Sequence, residues 1–130
     1  MSEKIIVSMC LLGIPCRYNG KALDKAIKYK EGMVPVCPEQ LGGLSTPRPK
    51  SFIEDGKGLD VILKRCRVKN ELGEDVTIYF LKGAEETLKI TRLVNAKKAI
   101  LKARSPSCGA EGVTTALLKK SKIKIEIIDP

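Results

Sequence analysis

Short apolar runs separated by glycine and proline turns set the hydrophobic pattern of this chain. The runs at Lys4–Met9 and Met33–Val36 are short and rich in β-branched residues, which predicts two buried strands. Similar runs predict four further strands, of which the second alternates only weakly, as an edge strand does: Ser51–Glu54, Val61–Val68, Ala99–Leu101 and Ile123–Ile128.

Other stretches repeat their apolar positions at the spacing of a helix. Leu23–Lys30 fits a short amphipathic helix, and Gly112–Lys120 fits another. The longest helical pattern is Asp75–Val94, with Asp75 as a plausible N-cap. Because helices alternate with strands, we predict a single α/β domain over residues 1–130, Rossmann-like and three-layered, with a mainly parallel sheet.

The stretch Val34–Gln40 ends one of the predicted strands with a dense set of chemical groups. It holds Cys37 and Glu39 two residues apart, next to Pro35 and Pro38. Proline lacks an amide donor and fixes φ, so this stretch cannot be the middle of a helix. A short strand that stops at Cys37 and turns at Pro38 would present the thiol and the carboxylate rigidly.

Two more cysteines stand in the same position relative to a predicted strand. Cys10 ends the first apolar run, and Cys108 follows the run at Ala99–Leu101 after a proline turn. In parallel α/β sheets, ligands bind beyond the carboxyl ends of the strands. We therefore expect Cys10, Cys37 and Cys108 to meet at one edge of the sheet. Glu39 and Ser105 go with them.

Composition limits the chemistry that such an edge can carry. The 130 residues include five cysteines and no histidine, which excludes Ser-His-Asp and Cys-His catalysis and histidine-ligated zinc sites. No signal peptide or membrane span is recognisable, so we expect a cytoplasmic protein with reduced thiols and no membrane partner. Soft thiolates favour zinc, Cu(I) or an iron–sulfur cluster.

The net charge of +9 leaves two interpretations open. The lysines can simply coat a soluble surface, or they can attract a phosphate-bearing ligand such as a nucleotide or RNA. Aromatic residues make up only 4% of the chain, which argues against a stacking platform for single-stranded nucleic acid.

Three thiolates on one metal centre leave a coordination position open, as in catalytic rather than structural sites. Glu39 can then serve as a general base. Candidate ligand contacts are the side chains and backbone amides of the neighbouring turns: Arg17, Tyr18, Ser105, Ser107 and Gly109. Cys16 is close enough to this site to be a resolving thiol or a spare ligand, and we favour a bystander. We expect Cys66 to be a structural residue.

Several of these segments together resemble the thiouracil desulfidase (TudS) family. The most specific are VPVCPEQLGGLSTPRP at Val34–Pro49 and LKARSPSCG at Leu101–Gly109. Val7–Gly13 with the following Cys-Arg-Tyr-Asn-Gly, Asp75–Ala84 and Gly112–Leu118 are also similar, so the resemblance covers nearly the whole chain.

The resemblance implies a [4Fe-4S] cluster held by Cys10, Cys37 and Cys108, with one iron open to the sulfur of a thiocarbonyl substrate. It further implies non-redox removal of sulfur from thiolated uracil compounds, giving the oxo base and hydrogen sulfide, with Glu39 and Ser105 as catalytic residues. Glu39 would activate water, and Ser105 would hold the substrate and manage protons.

One departure from the family concerns the loop after Cys108. Many relatives carry a longer loop there, whereas only Ala110 and Glu111 separate Gly109 from Gly112 in this chain. A more open, basic site would admit thiolated bases, thiolated nucleotides such as 4-thiouridine monophosphate, or thiolated tRNA. Two alternatives stay open at this point: an iron–sulfur protein that carries sulfur without hydrolysis, and a basic RNA-binding module with structural or zinc-bound cysteines.

Overall fold

Ten regular elements and one short 3-10 helix make up the fold, which a computed structural model describes over residues 3–130. The 3-10 helix spans Met9–Leu12. In chain order the elements are β1 (Ile5–Ser8), β2 (Met33–Val36), α1 (Pro38–Leu41), β3 (Ser51–Glu54), α2 (Gly58–Ile62), β4 (Arg67–Asn70), α3 (Thr77–Leu93), β5 (Lys98–Lys102), α4 (Val113–Lys120) and β6 (Lys124–Ile128).

The main sheet has the order β2-β1-β5-β6, and every neighbouring pair in it is parallel. This confirms the predicted α/β fold with a mainly parallel sheet. β2 lies at the sheet's edge, where Pro35 can occupy a strand without breaking a central ladder. Pro38 begins α1, a position where a proline's missing amide costs nothing.

Both faces of the main sheet are covered. Ile6 of β1 points to the face under α3 and α4, where it packs with Leu88 and Leu118. The next residue, Val7, points the other way and packs with Leu11 of the 3-10 helix, as the pleat of a strand requires. On that second face the covering layer is the 3-10 helix and an irregular segment, residues 14–31.

The predicted helix at Leu23–Lys30 is wrong, because this segment belongs to the irregular layer. Leu23 and Ile27 do face the core, and they pack around Val7. However, the Ile27 amide donates to the Leu11 carbonyl at 2.7 Å, a long-range bond in place of a helical one. A helix of this length is marginal alone, so tertiary contacts decided its conformation.

The predicted strand at Val61–Val68 is also wrong, since the segment divides between α2 and β4. The Lys57 amide donates to the Asp60 carboxylate at 2.9 Å, which fixes the first turn of α2. β4 pairs with β3 in a separate two-stranded antiparallel sheet, whose strands are connected through α2. Val61 and Val68 are both fully buried in a second hydrophobic cluster, so the apolar positions do face the core, although they do not belong to one strand.

The long helix was predicted correctly, and it begins at Thr77 rather than next to Asp75. One oxygen of the Asp75 carboxylate accepts from both the amide and the hydroxyl of Thr77, at 3.0 and 2.6 Å.

None of the helices within residues 3–130 combines the length and the apolar character that a membrane span requires.

Candidate active site

A cavity of about 390 Å³ opens beyond the carboxyl ends of β1, β2 and β5. The chain runs from β1 out to the edge strand β2 and later returns to β5 on the other side of β1. This reversal is a topological switch point, the usual ligand position in such sheets. Cys10, Cys37, Cys108, Glu39 and Ser105 all line this cavity, as the strand-end argument predicted.

Local backbone geometry places each of these three cysteines. Cys10 lies in the 3-10 helix directly after β1, and Cys37 is the extended residue between β2 and the proline that begins α1. Cys108 ends the turn after β5, and the hydroxyl of Thr115 on α4 donates to its carbonyl at 2.9 Å. Cys37 and Cys108 are buried, whereas Cys10 is half-buried.

Cys16 is the fourth cysteine of the cavity, so the residue that was favoured as a bystander lies beside the candidate ligands. Only 2% of it is exposed, and its carbonyl accepts from the Cys37 thiol at 3.9 Å. Hydrogen bonding with the Cys16 thiol lowers the pKa of Cys10 and raises the pKa of Cys16 itself. Helped by the Gln40 amide and Arg48, it also lowers the pKa of Cys37 to about 7. Both downward shifts favour the thiolate form.

Cys108 behaves differently, because burial raises its pKa to about 12. The hydroxyl of Ser107 lies 3.7 Å from its sulfur and partly offsets this effect. In a site of this kind, a metal ligand would have to lose its proton as the metal binds.

Glu39 lies in the first turn of α1 and is only 8% exposed. Its Oε2 accepts from the Ser107 hydroxyl at 2.8 Å and from the Ser105 hydroxyl at 3.4 Å. The two hydroxyl oxygens are themselves 2.9 Å apart. The carboxylate and two serines thus form a connected network through which a proton can move between the cavity and Glu39.

The tight turn after β5 sets the positions of both serines. Ser105 Oγ accepts from the amides of Ser107 and Cys108, at 3.2 and 3.1 Å. The Gly109 amide donates to the Ser105 carbonyl at 2.9 Å, and a side chain at Gly109 would lie within 2.7 Å of that oxygen. Gly109 is therefore required where the backbone of the turn approaches the Ser105 carbonyl. Although it was predicted as a ligand contact, it is not among the residues that line the cavity.

Arg48 is a second site residue that the sequence did not single out. Its side chain is 5% exposed, and Nε donates to Glu39 Oε1 at 3.0 Å. The sequence signal was available, because Arg48 lies in the Thr-Pro-Arg-Pro end of the block that carries Cys37 and Glu39. Burying a carboxylate without a partner is costly, so a buried Glu39 would have predicted a cation beside it.

The predicted contact residues Arg17 and Tyr18 lie on the rim of the cavity. Lys50 stands over the Tyr18 ring at 6.0 Å, and Lys102 lies near enough to Cys10 to lower its pKa. Arg17, Lys50 and Lys102 form no ion pair within residues 3–130, so the rim is cationic. Cys66 is remote from this cavity and donates weakly to the Lys57 carbonyl at 3.8 Å.

Comparisons with known proteins agree with this arrangement. A family model described as 2-thiouracil desulfurase matches residues 5–127. The uncharacterized protein YbbK of Bacillus subtilis (strain 168) is 39% identical over an alignment of 141 residues that covers 93% of each chain. The solved structure of the [4Fe-4S]-dependent thiouracil desulfidase TudS is 35% identical, with a TM-score of 0.84 over 97% of this chain and 91% of that one.

The family match spans nearly the whole domain, including all four cysteines of the cavity and the Glu39–Ser105–Ser107 network. The likeness to the solved structure also covers the main sheet and the helices that place the site. This chain therefore belongs to the 2-thiouracil desulfurase family.

Proposed function

We propose that this protein is an iron–sulfur-dependent hydrolase that removes sulfur from thiolated uracil compounds without net oxidation or reduction. The observation that carries the proposal is the network of Glu39, Ser107 and Ser105 beside converging thiols in one cavity. The reaction replaces a carbon–sulfur double bond by a carbon–oxygen double bond. Water supplies the oxygen, and sulfur leaves as hydrosulfide with a proton released.

The thiol-rich lining of the cavity suits an iron–sulfur cluster. Cluster ligands are distributed over several metal atoms, and sulfur is the ligand that iron–sulfur clusters take. We assign Cys10, Cys37 and Cys108 as the three ligands, because each lies in the segment that leaves the carboxyl end of a strand of the main sheet and lines the cavity.

When bound there, a [4Fe-4S] cluster with three cysteine ligands supplies one iron as a Lewis acid for the sulfur of the substrate. Glu39 Oε2 then takes a proton from the attacking water, since that oxygen faces the serine hydroxyls at the cavity. Ser105, half-buried at the mouth, contacts the pyrimidine ring and relays the proton through Ser107. Gly109 acts indirectly, by allowing the turn that holds both serines.

The cationic rim supports a substrate that carries phosphate. Arg17 and Lys50 can neutralise a nucleotide phosphate, while the Tyr18 ring offers a flat surface to a base or ribose. A thiolated nucleotide such as 4-thiouridine monophosphate satisfies both features better than free thiouracil. Thiolated tRNA would present the same base with further phosphates, and it stays a prediction.

The test measures iron and acid-labile sulfide in anaerobically reconstituted protein, together with sulfide release. About four irons per chain are expected in the wild type, and each of Cys10→Ala, Cys37→Ala and Cys108→Ala should lose the cluster. Cys66→Ala is the matched control and should keep it. Substrates are 2-thiouracil, 4-thiouridine monophosphate and thiolated tRNA, and ¹⁸O from labelled water should enter the product base.

Each result bears on a different part of the proposal. Absence of iron under strict anaerobiosis would refute the cluster and point to a basic RNA-binding module. A complete cluster with no sulfide released from any of the three compounds would favour a sulfur carrier. Sulfide release that requires an added reductant would contradict the non-redox hydrolysis.

A further inference from the structure

Arg48 is a buried cation to which the hydrolysis above gives no part. All three of its guanidinium nitrogens donate hydrogen bonds. Nε donates to Glu39 Oε1 at 3.0 Å, and one terminal nitrogen donates to the Cys16 carbonyl at 3.0 Å. The other terminal nitrogen donates to the Thr46 hydroxyl at 2.9 Å and to the Ser45 carbonyl at 3.2 Å. The guanidinium thus joins the Cys16 loop, α1 and the loop after α1. The planar guanidinium carries donors in fixed directions, so it can hold all three segments at once.

These contacts divide the two oxygens of Glu39. Oε1 accepts from Arg48, and Oε2 accepts from Ser107 at 2.8 Å and Ser105 at 3.4 Å. The last torsion of a glutamate is broad, so a carboxylate without a partner on one oxygen turns easily. The ion pair removes that freedom and sets the orientation of the carboxylate, so that the oxygen not bound by Arg48 faces the hydroxyls at the cavity.

We propose that Arg48 is the positioning residue of the desulfidation, which holds Glu39 so that Oε2 is the oxygen that accepts the proton of water. This inference rests on the proposed function. Through the Cys16 carbonyl, the same guanidinium also holds the loop that contacts Cys37, whose thiol donates to that carbonyl at 3.9 Å. Arg48 needs no contact with the substrate, because its effect passes through Glu39.

The test compares Arg48→Ala and Arg48→Lys with Arg67→Ala. Arg67 forms an ion pair with Asp75 at 2.7 Å outside the cavity and is therefore a matched loss of an arginine–carboxylate pair. Arg48→Ala should lower kcat by about 100-fold, the cost of misplacing a catalytic group by about 1 Å, and should change KM by less than about threefold. Iron per chain should stay at the wild-type value. Arg67→Ala should keep the wild-type kcat.

Two readouts separate positioning from a general structural role. Ethylguanidinium should restore at least about tenfold in kcat to Arg48→Ala, whereas ethylammonium should not, because only the planar fork matches the carboxylate. Arg48→Lys should remain impaired for the same reason. In a crystal structure of Arg48→Ala, Glu39 Oε2 should lie beyond about 3.5 Å from Ser107 Oγ or occupy two orientations.

Wild-type kcat in Arg48→Ala would overturn the proposal. So would a rise in KM at unchanged kcat, which indicates a substrate contact, or a loss of iron that ethylguanidinium does not reverse, which indicates a role in the fold. If the wild-type protein releases no sulfide, the proposed function fails instead. The crystal structure then decides the inference, since a Glu39 that keeps its 2.8 Å contact with Ser107 without Arg48 needs no positioning residue.

Discussion

Gly83 in the middle of α3 offers the sharpest test of how the fold places the site. Helix propensity by itself predicts that Gly83→Ala stabilises the protein by about 1 kcal/mol. The structure predicts the opposite sign. A Cβ at Gly83 would overlap the carbonyl oxygen of Pro38 in α1 and would lie 2.8 Å from its carbonyl carbon. On the other side of the contact, a Cβ at Gly42 would overlap the Tyr79 carbonyl of α3.

The obstacle is backbone on both sides, so no rotamer change relieves it. Carbon atoms in contact prefer about 3.5–4.0 Å, so α1 and α3 must separate by about 1 Å to admit the methyl group. Overpacking of this kind costs about 1–3 kcal/mol, and the rigid backbone favours the upper end. After subtraction of the gain in propensity, we expect a net loss of about 2 kcal/mol.

The same displacement reaches Glu39, the general base of the proposed reaction. Glu39 follows Pro38 directly, and its Oε2 reaches across to Ser107 on the turn after β5, which does not move with α1. A shift of about 1 Å should lower kcat by about 10- to 100-fold. The assays are guanidinium chloride unfolding under anaerobic, reducing conditions and sulfide release at saturating substrate. Glu85→Ala, on the exposed side of the same helix, is the control.

The sign of the stability change decides the matter. If Gly83→Ala unfolds at a higher denaturant concentration than the wild type and keeps its kcat, the two helices do not meet through glycine backbone as described. The proposed dependence of the Glu39 position on the contact between α1 and α3 would then be wrong as well.

Three further predictions follow from individual contacts. Thr77 and Arg67 lower the pKa of Asp75 to about 2, below its unfolded value, so the stabilisation is present above about pH 4 and is lost as pH falls toward 2. Because this carboxylate is exposed and its contacts are screened by water, Asp75→Ala should cost no more than about 1 kcal/mol at pH 7. A series of unfolding curves should show this difference shrinking in acid. Ser107→Ala removes the 2.8 Å hydrogen bond to a buried carboxylate and should lower kcat/KM by about 10- to 100-fold with iron unchanged, whereas equal activity would contradict the network. Phe80 is 1% exposed, so Phe80→Ala should lower the free energy of unfolding by about 3–5 kcal/mol. Ile78→Ala is the control, because Ile78 is 71% exposed and its loss should change stability by less than about 0.5 kcal/mol. Similar unfolding midpoints for the two variants would refute the second hydrophobic cluster.

The sequence by itself determined the elements whose apolar pattern was strong and the edge of the sheet where the chemistry lies. β1 and β5 were predicted because buried parallel strands are continuous apolar runs. The edge strands β2 and β6 were predicted because their short runs are rich in β-branched residues. Their parallel order then required residues at the strand ends to meet, so Cys10, Cys37 and Cys108 could be placed together without any contact being known.

Tertiary structure decided what local pattern could not. Residues 23–30 form no helix, and Ile27 bonds instead to Leu11 of the 3-10 helix. Residues 61–68 are divided because α2 ends at Ile62 and β4 begins at Arg67. The apolar positions of both segments nevertheless face the core. Cys16 and Arg48 looked like ordinary loop residues, because their partners come from other segments of the chain. Gly83 looked like a weak point of α3, yet it is where α1 makes its closest approach. Periodicity reports which face of an element is buried, and only the packing of the elements decides which backbone and polar atoms meet there.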